Sequence, residues 1–98
     1  MKKHGVEYHH DVIKKDIPIL DSKTAKRIKK AINERILTEP HKYGLPLKRN
    51  LKGYWKLRVG DYRVIYQIKK GSVLILSIYH RSKVYDKVKD RMLKMINS

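Results

Sequence analysis

The chain has 98 residues, and 25 Lys and Arg against nine Asp and Glu give it a formal net charge of +16. A chain of this length buries one core and fits a single domain over 1–98, while the charge far exceeds what solubility needs and calls for a polyanionic partner. The lack of Cys excludes disulfides, thiolate zinc sites and thiol nucleophiles.

Nucleic acid is the polyanion that fits best, because counterion release gives strong binding without sequence preference. A membrane fits less well: no apolar run approaches the roughly 18 residues of a span, and neither end carries a lipidation signature. The stretch Met1-Lys2-Lys3-His4-Gly5 is basic but leads into polar residues where a secretory signal has its apolar run, so a cytoplasmic location is expected. With seven Tyr, one Trp and no Phe, the core is expected to be aliphatic, with several rings half in water.

Gly5 to His9 alternates Val6 and Tyr8 with Glu7 and His9 and predicts a short strand. Asp11 is placed to cap a brief helix through Lys15, ended by Pro18, which lacks an N–H and disfavours helical geometry before it. Asp21 or Ser22 then caps a second helix, with Ala25, Ile28, Ile32 and Ile36 at helical spacing and Lys23, Lys26, Arg27, Lys29 and Lys30 on its remaining surface. Pro40, Gly44 and Pro46 close that element and open an irregular loop.

From Tyr54 the period becomes two. Gly60-Asp61 reads as a two-residue hairpin turn, which sets Val59 opposite Tyr62, Arg58 opposite Arg63, Leu57 opposite Val64, Lys56 opposite Ile65 and Trp55 opposite Tyr66. One face is then apolar, while Lys56, Arg58 and Arg63 share the other. Lys69-Lys70-Gly71-Ser72 makes a second turn, and the nearly continuous apolar run from Val73 to Tyr79 suits an interior strand ending in His80-Arg81. Its antiparallel return carries Arg81 towards Arg63. Val84, Val88, Met92 and Ile96 recur at helical spacing and predict a closing helix. The fold class expected is α+β, a small antiparallel sheet flanked by two N-terminal helices and a C-terminal one.

Like charges facing each other across strands destabilise a sheet by up to about 1 kcal/mol, so Arg58 opposite Arg63 asks for a reason. Forked guanidinium donors match phosphate oxygens, and with Lys56 on the same face and Arg81 arriving nearby the group reads as a phosphate-binding cluster. Two solvated arginines splayed apart are the bland alternative. His4, His9, His10 and His41 have no spaced carboxylate or thiol companions and read as surface residues, so no metal site is expected. Neither a nucleophile elbow nor a glycine-rich phosphate loop occurs, and no small-molecule cofactor is expected. Trp55 falls on the apolar face and reads as a core anchor.

The run Leu51-Lys52-Gly53-Tyr54-Trp55-Lys56-Leu57-Arg58-Val59-Gly60-Asp61-Tyr62-Arg63-Val64-Ile65-Tyr66, with Ser77-Ile78-Tyr79-His80-Arg81-Ser82-Lys83-Val84-Tyr85 after it, resembles the RelE/ParE superfamily of toxin–antitoxin toxins over nearly the whole chain. For RelE-like members the resemblance implies metal-independent cleavage of messenger RNA in the ribosomal A site, by attack of a 2′-hydroxyl on the adjacent phosphorus. It also implies an inhibitory antitoxin, expected to be small and acidic.

The positions matching the RelE pattern are Lys56, Arg58, Arg63, Arg81 and Tyr85. Lys56 and Arg63 are candidates for neutralising the phosphorane, Arg81 for the leaving oxygen, and Tyr85 for stacking on a base or bonding the phosphate. Lys48, Arg49, Lys52 and Lys83 are assigned to RNA binding. The chain departs from the pattern at Arg58, where a lysine thought to be the general base often stands; arginine keeps its proton, which leaves Lys56 or His80 as the base. Strand alternation points His80 to the opposite face unless the strand has already ended. Two other readings share these features: a ParE-like toxin that inhibits DNA gyrase, and a basic RNA-binding module without catalysis.

Overall fold

The computed structural model describes residues 4–47, 53–83 and 91. Its elements run β1 (Gly5–Tyr8), α1 (Val12–Asp16), α2 (Ser22–Ala31, continued by a widened π-helical stretch Ile32–Ile36), α3 (Pro40–Tyr43), β2 (Leu45–Pro46), β3 (Tyr54–Val59), β4 (Tyr62–Lys69) and β5 (Ser72–His80). They build the α+β fold expected, around a five-stranded sheet in the order β1-β5-β4-β3-β2. The sheet is mixed, because β1 joins β5 in parallel, from Gly5 beside Ser72 to Tyr8 beside Ile75. The closing helix lies outside the described residues except for Arg91, which is helical.

The hairpin follows from its turn. Gly60 has φ +58°, a left-handed conformation that costs glycine little, and a Cβ there would press on the Arg27 guanidinium. β3 and β4 pair in the expected register at all five positions from Trp55–Tyr66 to Val59–Tyr62. β5 returns antiparallel along β4 with a bulge opposite Ile65 and Tyr66, which leaves Leu76 without a partner on β4.

The helices cover the face that carries Leu57, Val59, Val64 and Tyr66, and bury Val12, Ile28, Ile32 and Ile36 against it. A fully buried Val or Ile contributes about 1.5–3 kcal/mol relative to exposure, so this apolar stripe holds α2 on the sheet despite the five exposed cations around it. Asp21 caps α2 by accepting the Thr24 N–H at 2.7 Å, and hydrogen bonds from Thr24 hold its carboxyl below the usual range. Trp55 packs against the same core, half-buried, with the His41 ring edge-on at 5.2 Å.

Three details differ from the sequence reading. Asp11 does not cap α1: its backbone is already helical and its side chain makes no cap bond. Pro40 opens α3 instead of closing its predecessor, a first-turn position where its missing N–H costs nothing, and Leu45–Pro46 pairs with Lys56 and Trp55 as an edge strand instead of lying in an irregular loop. Beside Lys56, Arg58 and Arg63, the face opposite the helices carries a second buried cluster of Tyr54, Ile65 and Leu76.

Asp16 carries the least expected contact. β1 stops beside Ile75, leaving β5 beyond it with an open edge, and an unpaired strand edge seeks partners. The Asp16 carboxylate accepts the Ile78 N–H at 2.9 Å and receives both arms of Arg91, at 2.7 and 3.1 Å. Arg91 in turn donates to the Leu76 carbonyl at 3.4 Å. One ion pair thus finishes the edge and ties Arg91 to α1.

Candidate nucleic-acid interface

The hairpin register sets Arg58 directly opposite Arg63, with Lys56 two residues back along β3 on the same face. Arg63 is oriented by its own turn, donating from Nη1 to the carbonyls of Gly60 at 3.2 Å and Tyr62 at 3.0 Å. These three residues line one cleft of about 360 Å³ together with Arg35, Tyr43, Leu45 and Leu57. Among the described residues no carboxylate lines this cleft, and none of its four cations is in an ion pair. Four positive groups left without counter-charge in one concavity make a receptor for phosphate.

Arg81 stands at the end of this row. Tyr79 is the residue opposite Arg63, and the Arg81 N–H donates to the Asp61 carbonyl at 2.7 Å, so Arg81 arrives beside the hairpin tip. Its exposed guanidinium rests 3.5 Å from the Asp61 carboxylate, a contact worth little in water and open to competition by a phosphate.

His80 is on the other side. The strand runs through it opposite Tyr62, its ring meets Tyr62 edge-on at 5.2 Å, and Nδ1 lies 2.7 Å from the Ser82 hydroxyl. With Ser82, Lys83, Asp16 and Arg91 it lines a separate depression of about 510 Å³. Lys83 therefore does not join the cationic cleft, and Lys48, Arg49, Lys52 and Tyr85 lie outside the described residues. His9 and His10 do have a companion: their rings stack at 4.3 Å and His10 is 3.3 Å from Asp11, the three gathering within 4.8 Å. His9 Nδ1 already accepts the Asp11 N–H at 3.1 Å.

Arg35 and Tyr43 were not legible as part of the cleft. They come from α2's π-helical continuation and from α3, both earlier in the chain than the hairpin; Arg35 reaches the cleft on α2's continuation, and Tyr43 through the packing of α3. That packing rests on Tyr66, fully buried, whose hydroxyl donates to the Pro40 carbonyl at 2.6 Å. Gly44 follows α3 because a Cβ there would overlap the same hydroxyl.

Burial pushes the Tyr66 hydroxyl up to about 12 from its ordinary 10.0. The fold favours the neutral form, so this contribution is fully present below pH 10 and is lost as pH rises through 12. Tyr66→Phe is expected to lower stability by about 1 kcal/mol at neutral pH and to flatten the alkaline loss, which urea melts of both proteins between pH 7 and 11 would measure. An equally steep alkaline loss in the variant would assign it to other groups.

The family model described as the ParE toxin of the type II toxin–antitoxin system parDE matches residues 6–85. Toxin RelE of Mycobacterium tuberculosis is 37% identical over 73 residues, 72% of this chain and 75% of the relative, and Toxin RelG of the same organism is 41% identical over 49 residues, 48% and 56% of the two. Among solved structures, the M. tuberculosis toxin–antitoxin complex RelBE2 superposes with a TM-score of 0.76 at 27% identity, over 85% of this chain and 97% of that one. A mutant of E. coli toxin RelE in the free state shares the fold, with a TM-score of 0.73 at 23% identity over 96% and 98%. The chain belongs to the RelE/ParE superfamily, as a toxin of a type II toxin–antitoxin system.

Proposed function

We propose that this toxin is an endoribonuclease that cleaves messenger RNA, engaged on the ribosome, without a metal. The observation that carries the reading is the cleft in which Arg35, Lys56, Arg58 and Arg63 converge with no carboxylate among the described residues. A nucleotide's 2′-hydroxyl attacks the adjacent phosphorus, the bond to the 5′-oxygen of the next nucleotide breaks, and the products are a 2′,3′-cyclic phosphate and a 5′-hydroxyl. Arg63, held by two turn carbonyls, and Arg58 take up the negative charge that grows on the phosphorane. Arg81, beside the hairpin tip, stabilises the departing oxygen once a phosphate draws it from Asp61, that oxygen taking its proton from water, and Tyr85, outside the described residues, is assigned to contact a nucleobase or a phosphate.

Lys56 is the base in this reading, because it is the one group in the cleft besides Tyr43 that can give up and take a proton, whereas Arg58 cannot and His80 faces away. Lys56→Arg keeps the resting cation that binds phosphate but cannot shed its proton, and so removes the proton acceptor. It is expected to bind RNA like the wild type and to cleave at least 10²-fold more slowly in single-turnover assays; cleavage at the wild-type rate would move the base elsewhere.

The partner is a small acidic antitoxin. RelBE2 is a toxin–antitoxin complex and the archaeal RelE of Pyrococcus horikoshii is in complex with RelB, and an acidic segment would neutralise the cationic cleft. One observation favours a second reading: the matching family model is named for ParE, and a ParE-like toxin would inhibit DNA gyrase. Translation-dependent cleavage of a defined message and gyrase supercoiling, assayed side by side, separate the two, and cleavage without gyrase inhibition is expected. Gyrase inhibition with an intact message would reverse the assignment.

A further inference from the structure

The cleft holds more than phosphate chemistry requires. Phosphate contacts need cations, yet one wall here is Tyr43 and Leu45, whose surfaces remain 44% and 68% exposed. An aromatic ring left open beside four cations, on an anchored segment, has the composition of a nucleobase platform, where stacking supplies affinity and the cations hold the backbone.

We propose that Tyr43 and Arg35 form a nucleotide subsite beside the phosphate cluster, with Tyr43 stacking on an unpaired base and Arg35 holding that nucleotide's phosphate. The inference rests on the ribonuclease reading and adds a residue that positions the substrate. Three features support it. The backbone that carries the ring is held from below, since α3 is pinned by the Tyr66 to Pro40 hydrogen bond and by the close passage of Gly44 over Tyr66, so little backbone order is lost on binding. The Lys42 ammonium, 3.3 Å from Glu39, sits 5.4 Å from the Tyr43 ring centroid and adds a cation beside the ring.

The third feature is placement. Leu45 pairs with Lys56, so the Tyr43 wall adjoins the Lys56 end of the row, whereas Asp61 and Arg81 mark the other end. A single strand laid along the cleft meets Tyr43, Lys56, the Arg58 and Arg63 pair and Arg81 in that order. A volume of about 360 Å³ is within the range of small-ligand sites, roughly 300–1,000 Å³.

The test uses the full chain and a short single-stranded RNA made uncleavable by 2′-O-methylation, in two forms: one with 2-aminopurine at the position upstream or downstream of the target phosphate, and one abasic there. Tyr43→Ala is expected to weaken binding of the intact RNA by roughly 5- to 150-fold, the range for one stacked base, and to relieve 2-aminopurine quenching. Its affinity for the abasic RNA should match that of the wild type, and Tyr43→Phe should retain both binding and quenching. Arg35→Ala should weaken both RNAs alike and reduce the salt dependence of binding by about one unit of slope.

Equal affinity of Tyr43→Ala and wild type for the intact RNA overturns the subsite, while cleavage of an unmethylated message on ribosomes by the wild type, run alongside, leaves the ribonuclease reading standing. Equal losses on intact and abasic RNA overturn stacking in favour of a structural role. A wild type that neither binds nor cleaves RNA overturns both the subsite and the reading on which it rests.

Discussion

Arg63→Ala is expected to slow RNA cleavage by on the order of 10²-fold or more, with the fold intact. The size follows from its place: the guanidinium is held by the Gly60 and Tyr62 carbonyls, so it is aimed before substrate arrives and loses little order in meeting the transition state. A conservative Lys would keep the charge but lose the fork that those two carbonyls and a phosphate share, and should recover only part of the rate. Arg81→Ala is expected to show a similar loss, although its exposed contact with Asp61 leaves it less constrained. Single-turnover cleavage measured on variants with unchanged thermal melts checks both, and undiminished cleavage by a folded double variant would contradict the assigned site.

The largest stability effect is expected at Asp16. Asp16→Ala leaves the Arg91 guanidinium without its bidentate partner and the Ile78 N–H unpaired at the open edge of β5. Breaking a buried ion pair by removing one member costs about 3–5 kcal/mol; with the Arg91 side chain one-fifth exposed and able to turn to water, the lower end is expected. Asp16→Asn keeps the acceptor for Ile78 and loses only the charge, so it should fall between wild type and Ala. Urea denaturation of the three proteins gives the order directly, and an Ala variant as stable as the wild type would show that the edge closes by other means.

The contrast between Arg63 and Asp16 shows which parts of this molecule are readable from the chain. The hairpin is local: a Gly at a left-handed turn position and strict alternation on either side fix the facing residues, so the Arg58 and Arg63 pair follows from six consecutive positions on each strand. The helix stripe of Ile28, Ile32 and Ile36 is equally local. Asp16 is not, because its partners Ile78 and Arg91 stand 62 and 75 residues away, and a carboxylate in a basic, helical segment carries no mark of burial. The one local mark is that Asp16 follows Val12 by one helical turn and so shares its inward face. β2 gave no periodic signal in two residues, and Pro40 acts as an opener or a closer depending on which side the helix lies. Arg35 enters the cleft from α2's π-helical continuation and Tyr43 from α3, which the buried Tyr66 hydroxyl holds, and His80 faces away because β5 runs through it to its last residue.

The central claim is that the cationic cleft drives attack of a 2′-hydroxyl on phosphorus, and the chemistry of the cut ends tests it most directly. A defined message carried on purified ribosomes, treated with this toxin and then analysed at the new termini, should yield a 2′,3′-cyclic phosphate or its opened phosphate upstream and a 5′-hydroxyl downstream, with both signals lost in Arg63→Ala. A 3′-hydroxyl facing a 5′-phosphate, or the same ends at the same rate from Arg63→Ala, would contradict it.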